Sequence, residues 1–402
     1  VGGRTPVTKF PYPDLSFLYK NENGNLTDVT KSWIPELENL GMISDAVWTD
    51  VNKDGKVDLV VVGELMPITV FENKGDRFEK MKDTGLENYL GWWNSISTAD
   101  FDQDGDTDWV VGNIGANNAH HPTMDRPLKI YAKDFDNNGS IDPVTFAFYK
   151  DRIGGTYQSF PSHFWDDLYG QSTLFRRKFE RYKYYALTTE QSLFKDEEKQ
   201  DALILTGNFD RSVWVENLGD GKFKVHELPT LAQLAPVNGI VTDDLNGDGF
   251  SDILLVGNNY GNEIFIGRLD ASVGGVLLGD GKGGFKAVNP RESGFIVPGD
   301  AKALVKLSPA QGAPIYFASQ NRGKLLAFQS PSAESKAFAF PQDAMAVLVE
   351  LPNGKYQRYD LGIGSGFGSQ SSREIAIPKE AVSANMINYK GEMIPLEIFT
   401  RN

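Results

Sequence analysis

The sequence predicts an all-β protein built from many short strands, and three observations support this prediction. An acidic nine-residue loop occurs four times, each copy leads into a short apolar strand, and hairpin phrases recur beside the loops. The 41 Gly and 20 Pro are spread in short clusters, as expected for strands joined by tight turns. With 402 residues, 40% of them apolar, the chain can form one large β domain and a smaller one.

The acidic loop has a fixed spacing of oxygen-bearing side chains. Each copy has Asp or Asn at positions 1, 3, 5 and 9 and Gly at position 6. Ca²⁺ takes about six to eight oxygen ligands, and alternate side chains of a curled loop can converge on one ion while position 7 offers its backbone carbonyl. The predicted ligands of about four Ca²⁺ ions are Asp50, Asn52, Asp54, Lys56 and Asp58; Asp100, Asp102, Asp104, Asp106 and Asp108; Asp134, Asp136, Asn138, Ser140 and Asp142; and Asp244, Asn246, Asp248, Phe250 and Asp252.

These loops differ from an EF-hand. That motif needs a glutamate at position 12 and a helix on each side, whereas position 12 here is Val61, Val111, Thr145 or Leu255. The run LVVVG at 59–63 and its counterparts are typical of buried strands rather than amphipathic helices. Asp-rich turns without a metal are the alternative, but clustered carboxylates repel each other unless a cation neutralises them.

The loops belong to a longer repeat. A hairpin phrase that ends near an aromatic residue occurs at 71–81, 215–225 and 277–288, with a weaker copy at 19–30. A first strand, the loop, an apolar strand and this hairpin make four strands in about 40–50 residues, the size of one β-propeller blade. The sequence predicts a propeller of six or seven four-stranded blades, with first strands near positions 46, 96, 130, 203, 240 and 303.

These motifs resemble those of a known family. Over most of residues 14–330 the DxDxDGxxD loops and GDGxF hairpins resemble the FG-GAP or VCBS repeats of bacterial surface proteins, a repeat type that also builds the propeller of integrin α-subunits. Phrases such as VNGIVTDDLNGDGFSDILLVGN are similar to those of large repeat proteins from Gram-negative bacteria. The resemblance implies an extracellular or outer-membrane-attached protein, secreted or anchored as a lipoprotein and often found beside a TonB-dependent nutrient importer.

One segment inside the predicted propeller departs from the repeat. Residues 157–200 lose strand character, and Leu174, Phe175, Phe179 and Tyr182 are spaced as on one face of a helix. A helical insertion is therefore predicted. It is either a hairpin packed on the propeller or an excursion that binds a partner, since insertions on rigid scaffolds often carry recognition.

The C-terminal part has a different pattern. After a propeller over 1–334, residues 335–402 read as short strands and hairpins, which predicts a small β-sandwich-like domain. The run GSGFGSQSSREIAIP at 364–378 resembles the ASPIC/UnbV segment that ends many VCBS-repeat proteins. No catalytic role follows from this segment.

Charge and composition exclude several classes of function. The net charge of −14 argues against nucleic acid as a partner, because phosphate backbones are bound by basic surfaces. The absence of Cys excludes disulfides, thiolate zinc sites and cysteine nucleophiles. No run of 18 apolar residues occurs, so no transmembrane segment is predicted.

No catalytic motif stands out. The scarce histidines are not spaced as in a known catalytic motif, and the pair His120 and His121 is either a solvated loop or a transition-metal site. Trp92, Trp93 and Trp165 are either packing aromatics or platforms for sugars. Polar loops after the calcium-loop strands could form a recognition face through Asn117, Asn118, Asn258 and Asn259.

The function favoured by these patterns is non-catalytic binding or assembly at the cell surface. A calcium-stiffened propeller would present loops to a protein partner or a glycan, as part of an outer-membrane complex. The alternatives are a propeller-type polysaccharide lyase or glycosidase and a structural spacer in a longer surface protein.

Overall fold

The structure is a computed structural model that describes residues 1–151, 154–179, 181–262, 266–309, 312–329, 337–362, 369–378 and 380–396. The first strands are β1 (Tyr19–Glu22), β2 (Asn25–Asp28), β3 (Met42–Thr49), β4 (Asp58–Met66), β5 (Thr69–Asn73), β6 (Phe78–Lys80), β7 (Gly91–Trp92), β8 (Ser95–Ala99) and β9 (Asp108–Gly112). Next come β10 (Leu128–Lys133), β11 (Asp142–Lys150), β12 (Tyr157–Pro161), β13 (Leu203–Gly207), β14 (Val213–Asn217), β15 (Phe223–Glu227), β16 (Val237–Asp243), β17 (Asp252–Gly257), β18 (Gly275–Gly279) and β19 (Phe285–Ala287). The chain continues with β20 (Ala301–Leu307), β21 (Ile315–Gln320), β22 (Leu326–Gln329), β23 (Ala337–Ala339), β24 (Ala344–Glu350), β25 (Tyr356–Asp360), β26 (Glu374–Ala376), β27 (Ser383–Asn388) and β28 (Met393–Pro395).

The helices are short. They are α1 (Thr30–Trp33), α2 (Trp165–Gln171), α3 (Thr173–Lys178), α4 (Tyr182–Tyr185), α5 (Glu190–Leu193), α6 (Asp196–Lys199) and α7 (Pro290–Ser293), with 3₁₀ turns at Pro35–Leu37 and Thr230–Gln233. None of the helices in the described ranges is long and apolar enough to cross a membrane. The all-β class predicted from the sequence is confirmed.

Four antiparallel sheets pack in series. Sheet I contains β3 to β6 with β7 paired to β4, sheet II has the order β8-β9-β14-β15, sheet III contains β16 to β19, and sheet IV contains β20 to β22. Their first strands are neighbours, because β3 contacts β8, β8 contacts β16, and β16 contacts β20. Separate apolar clusters lie between I and II, between II and III, and between III and IV. Adjacent sheets are therefore joined by buried side chains.

The glycine that ends the second strand is required by close approach of the backbone. A Cβ atom on Gly112 would lie 2.4 Å from the carbonyl oxygen of Val237, in the next sheet. At Gly257 a Cβ would lie only 1.7 Å from the carbonyl oxygen of Pro236. Only glycine permits such an approach without displacing the chain.

Irregularities in the first strands also join the sheets. The register of β3, β16 and β20 shifts around Ser44, Asn238 and Lys302, as in β-bulges. Ser44 Oγ donates to the carbonyl of Trp93 at 2.6 Å, and Asn238 Nδ2 donates to the carbonyl of Ala301 at 2.9 Å. The bulges thus aim polar side chains at the neighbouring sheet.

The prediction that two separate blades begin near positions 130 and 203 is wrong. β10 and β13 lie side by side in one sheet of order β12-β11-β10-β13, here called the inserted sheet. β14 follows five residues after β13, yet it completes sheet II by pairing with β9. Residues 113–212 are therefore inserted within sheet II, and the third acidic loop lies in this insertion.

The helical region predicted over 157–200 contains α2 to α6. These helices pack on the inserted sheet through Phe175 and Phe179, which are buried, and through the partly buried Leu174. Tyr182 does not belong to this face, because it is 57% exposed. The helical insertion is thus packed on a sheet of its own rather than directly on the four sheets in series.

The C-terminal residues form a sheet of order β25-β24-β27-β28 and a β23–β26 pair around their own apolar cluster. We call these the C-terminal unit. The first five residues of the run at 364–378, like residues 335–336 and 397–402 of the predicted domain, lie outside the described residues. No closed ring of blades is seen in the described part of the chain, so the six- or seven-bladed propeller and the division at residue 334 stay predictions.

Candidate functional site

The four acidic loops share one backbone conformation. Their position 4 has positive φ in every copy, with 59° at Lys53, Gln103 and Asn137 and 80° at Gly247. The glycine at position 6 has φ between 80° and 88°. Two left-handed residues so close together curl the loop, and positive φ is cheap at Gly and costs more elsewhere. The Gly at position 6 is thus explained by backbone geometry.

The aspartate at position 1 is held by backbone N–H groups inside its own loop. Asp50 accepts from the N–H of Asp54 at 3.1 Å and from that of Gly55 at 3.0 Å. Asp100 accepts from Gln103 and Gly105 at 2.7 and 3.1 Å. The other two loops repeat this pattern at Asp134 and Asp244.

The aspartate at position 9 anchors the loop to the sheet. Asp108 accepts from the N–H of Phe101 at 3.1 Å and from the N–H of Asn217, on β14, at 2.9 Å. The equivalent residues Asp58 and Asp252 bind the N–H groups of Asn73 and Gly279 in the same way. Each of these carboxylates is at most 1% exposed. In the first, second and fourth loops, position 9 therefore links the loop to the third strand of its sheet.

Two of the loops gather three carboxylates. Ligand oxygens of Asp100, Asp102 and Asp108 lie within 4.8 Å of one another, as do those of Asp134, Asp136 and Asp142. In the other two loops Asn52 and Asn246 take position 3, so fewer carboxylates converge. The loops thus bring the sequence-predicted residues of positions 1, 3 and 9 together most closely in the second and third copies.

Burial makes the ionised form of these carboxylates energetically unfavourable. Burial is the main cause that raises the pKa of Asp108 to about 8 and that of Asp100 to about 7, and neighbouring aspartates raise both further. The same cause raises the pKa of Asp58 and Asp252 to about 7. A bound cation would offset this cost, because an opposite charge favours the ionised form.

Unpartnered oxygens fit a metal ion. Oδ1 of Asp102, of Asp136 and of Asp142 is buried and has no hydrogen-bond donor among the described residues. Carboxylate oxygens with free lone pairs are the ligands that hard cations such as Ca²⁺ prefer. Buried acidic clusters able to hold a metal ion are thus present in the structure.

The side chains of the predicted ligands at position 7 have varied environments. Asp106 forms an ion pair with Lys53 of the first loop, and Lys56 Nζ lies 3.0 Å from Asp54 Oδ2. Phe250 packs beside Gly281, and Ser140 is exposed. Because position 7 was predicted to use its carbonyl group, these side-chain contacts leave that prediction untested.

The C-terminal unit covers the loop end of the sheets. The N–H of Arg358, on β25, donates to Asp100 Oδ2 at 3.2 Å. Arg358 also pairs with Asp360 at 3.0 Å, and Asp360 accepts from Thr49 Oγ1 at 2.8 Å. Gly391 approaches Gly55 of the first loop so closely that a Cβ on Gly391 would lie 2.7 Å from the Gly55 carbonyl oxygen. The sequence held no signal for the contacts with the loop end of the sheets, since they join residues distant in the chain and two of them use backbone groups.

The tryptophans of the GWWNS motif have opposite environments. Trp93 is fully buried and donates from Nε1 to the carbonyl of Met66 at 2.9 Å. Trp92 is partly exposed and lines a cavity at the other end of the sheets. Trp165 packs against Tyr169 and Tyr182 in the insertion. Of the three, Trp92 alone lines this cavity.

The asparagines that were predicted to form a recognition face also have different environments. Asn118 and Asn259 line the cavity with His120, whereas Asn117 does not. Asn258 is fully buried, and its Nδ2 donates to the carbonyls of Ser272 and Gly299. His120 and His121 take no part in a metal-ligand cluster of the described residues.

The cavity also contains residues that sequence reasoning missed. Arg4 pairs with Glu64 at 2.5 Å, and both line it. Arg4 precedes the first strand and Glu64 lies near the end of β4, which is buried, so neither belongs to a motif. Their proximity arises from the fold.

Comparison with known proteins identifies one repeat. Residues 50–111 match the family model of the FG-GAP-like repeat. This range runs from the first acidic loop to the strand after the second, so the match covers two of the four acidic loops. None of the curated proteins compared with the chain matches it.

Several solved structures are weakly similar. A lectin from Agrocybe aegerita that recognises non-reducing terminal N-acetylglucosamine is 17% identical with a TM-score of 0.16, covering 81% of this chain and 94% of the lectin. Rhamnogalacturonan lyase YesW is 13% identical with a TM-score of 0.28, covering 81% of this chain and 57% of the lyase. A rhamnogalacturonan lyase from Bacillus licheniformis is 11% identical with a TM-score of 0.18, covering 98% of this chain and 76% of that enzyme. Likenesses at this level carry no conclusion about function.

Proposed function

We propose that the chain is a calcium-stabilised, non-catalytic binding module of the cell surface, built on propeller-type repeats. The observation that carries the proposal is the common conformation of four loops, in which backbone N–H groups hold the aspartates at positions 1 and 9. In the second and third loops, Oδ1 of Asp102, Asp136 and Asp142 is in addition buried without a donor among the described residues. Ca²⁺ would be held by the side chains at positions 1, 3, 5 and 9. When bound it neutralises the buried carboxylates.

The binding role rests on where the loops lie. Asp100 and Asp108 are each 1% exposed, and the C-terminal unit lies over their end of the sheets. These two carboxylates cannot contact an external partner, so the second loop acts on the fold. The end with the open cavity is left for recognition, and the partner would be a glycan or a protein at the outer membrane, including an importer of the TonB-dependent type.

Metal content and thermal unfolding test the calcium role. We expect about four ions per chain and a lower melting temperature after chelation, because an ion at about a hundredfold its dissociation constant stabilises the fold by about 2.7 kcal/mol per site. Asp104→Ala should release one ion. Asp280→Ala is the matched control, since Asp280 shapes a hairpin turn outside the acidic loops. A chelated protein that melts as the calcium-loaded one would refute the proposal.

One observation favours an enzyme as the second candidate. In the cavity region His120 Nδ1 lies 3.2 Å from the hydroxyl of Tyr149, and burial lowers the pKa of His120 to about 4. A neutral imidazole beside a phenol can move a proton, as a polysaccharide lyase or glycosidase requires. Release of products from a polysaccharide panel, lost in Tyr149→Phe, would establish this candidate and exclude a purely binding role.

A further inference from the structure

We propose that the cavity at the end of the sheets opposite the acidic loops binds a neutral sugar residue of a glycan. This inference rests on the proposed binding role and adds to it the site and the class of ligand. The cavity measures about 310 Å³ and is bounded by sheets I to III and the inserted sheet. This volume is at the lower end of the range for small-molecule sites, about 300–1,000 Å³.

The position of the cavity follows from the topology. The acidic loops connect the end of each first strand to the start of the second, so they lie at one end of the sheets. The cavity is lined by residues from the other end, such as Glu64 at the close of β4, Asn94 just before β8 and Asn238 at the start of β16. The C-terminal unit covers the loop end and leaves this one open.

Trp92 supplies an apolar surface in a fixed position. Its ring packs beside Gly207, where a Cβ would lie 2.6 Å from a ring atom, and it belongs to a cluster with Leu65 and Leu128. Trp93 next to it is buried and hydrogen-bonded, which holds the backbone at this point. A rigid aromatic ring in a cavity lined by both apolar and polar groups suits a ligand that has both apolar faces and hydroxyl groups.

Amide groups supply hydrogen bonds around this ring. Asn238 uses its Nδ2 for two carbonyl groups, at 2.8 and 2.9 Å, and keeps its Oδ1 without a donor among the described residues. The side-chain amide of Asn94 makes no hydrogen bond within the described ranges and lines the cavity. An amide offers both donors and acceptors, as a sugar hydroxyl does, so the two groups match each other.

The charged side chains that line the cavity neutralise each other. Arg4 and Glu64 are its only charged residues in the described part of the chain, and they pair with each other. His120 is neutral at physiological pH, since its pKa is well below 7. The second large cavity, near the acidic loops, is lined instead by Asp243, Lys306 and other charged residues. A neutral ligand therefore fits the first cavity better than an anionic one.

Binding to a panel of short neutral and anionic oligosaccharides tests the proposal. The calcium-loaded full chain is screened first, and the tightest neutral ligand is then titrated calorimetrically. Trp92→Ala and Asn94→Leu should each weaken binding by at least about tenfold, equal to about 1.4 kcal/mol. Asn94→Leu keeps the test valid if Trp92→Ala does not fold. Asn117→Ala is the matched control, because Asn117 lies outside the cavity and its loss should leave the affinity within about twofold.

The outcomes separate this inference from the proposed function. A neutral sugar whose binding is unchanged in both cavity variants, a panel in which only anionic sugars bind, or no sugar binding at all would each overturn the inference. Calcium dependence of stability and capture of a protein partner could still hold in all three cases. A neutral oligosaccharide that is bound and then cleaved, with both properties lost in Trp92→Ala, would support the site and refute the non-catalytic role.

Discussion

Asp45 is predicted to make the stability of the fold pH-dependent. Its carboxylate accepts from the N–H of Ile96, in sheet II, at 3.1 Å, so it joins β3 to β8. Burial raises its pKa to about 6 from the ordinary 3.8, despite the two backbone N–H groups that lower it. The folded state therefore binds the proton more tightly than the unfolded state. Stability is complete below the unfolded pKa and is lost as the pH rises through the folded one.

The size of this effect follows from the shift. A difference of about 2.2 pKa units corresponds to about 3 kcal/mol at full ionisation, at about 1.36 kcal/mol per unit. About 2 kcal/mol of this should appear between pH 4.5 and 7.5. Asp45→Asn keeps an oxygen that accepts from Ile96 but does not titrate. The variant should thus gain stability relative to the natural protein as the pH rises across this range.

Urea unfolding of both proteins at several pH values gives the comparison. Other titrating groups are common to both, so they cancel in the difference between the two free energies of unfolding. Asp45→Ala removes the acceptor as well and should be less stable than Asp45→Asn at each pH, because the N–H of Ile96 loses its partner. If the difference in free energy of unfolding between the natural protein and Asp45→Asn did not change with pH, burial would not destabilise the ionised form of Asp45 and the prediction would be wrong.

Two further substitutions test contacts between parts of the fold. Arg358→Leu should lower the free energy of unfolding by about 3–5 kcal/mol, because the side chain of Asp360 is 3% exposed and would lose its cationic partner. In urea unfolding, the double variant Arg358→Leu/Asp360→Leu should recover part of this free energy, and no recovery would contradict the reasoning. Gly257→Ala should cost more than about 2 kcal/mol because its Cβ would lie 1.7 Å from the carbonyl oxygen of Pro236. Gly170→Ala, in α2, has nothing within 4 Å of its Cβ and should be neutral or stabilising by up to about 1 kcal/mol; equal melting temperatures for these two variants would refute the close approach.

The local parts of the structure were predictable from the sequence. The acidic loop spans nine residues, and its conformation depends on positive φ at positions 4 and 6 and on hydrogen bonds within the loop. Residue types at fixed spacing report such short-range geometry. Trp92 and Trp93 have opposite environments for a similarly local reason, because neighbouring residues in an extended chain face opposite sides. The sequence left open which of the two faced the core.

The pairing of distant strands was not predictable in the same way. β13 and β14 are separated by five residues and have similar apolar character, yet one completes the inserted sheet and the other completes sheet II. Nothing in either segment specifies its partner, because pairing depends on surfaces that meet only after folding. The blade predicted to begin near position 203 is therefore not present as a separate unit in the described part of the chain.

The docking of the C-terminal unit decides how the acidic loops can act. Arg358 reaches Asp100 through its backbone N–H, and Gly391 reaches Gly55 through bare backbone. A loop that is covered in this way gains nothing from presenting acidic side chains to solvent, and its buried carboxylates destabilise the fold unless they are neutralised. Because the first two loops also join each other through Lys53 and Asp106, an ion in either loop would stabilise three parts of the chain at once. The first two acidic loops thus connect the sheets to the C-terminal unit, and this position agrees with the proposal that recognition takes place at the opposite end.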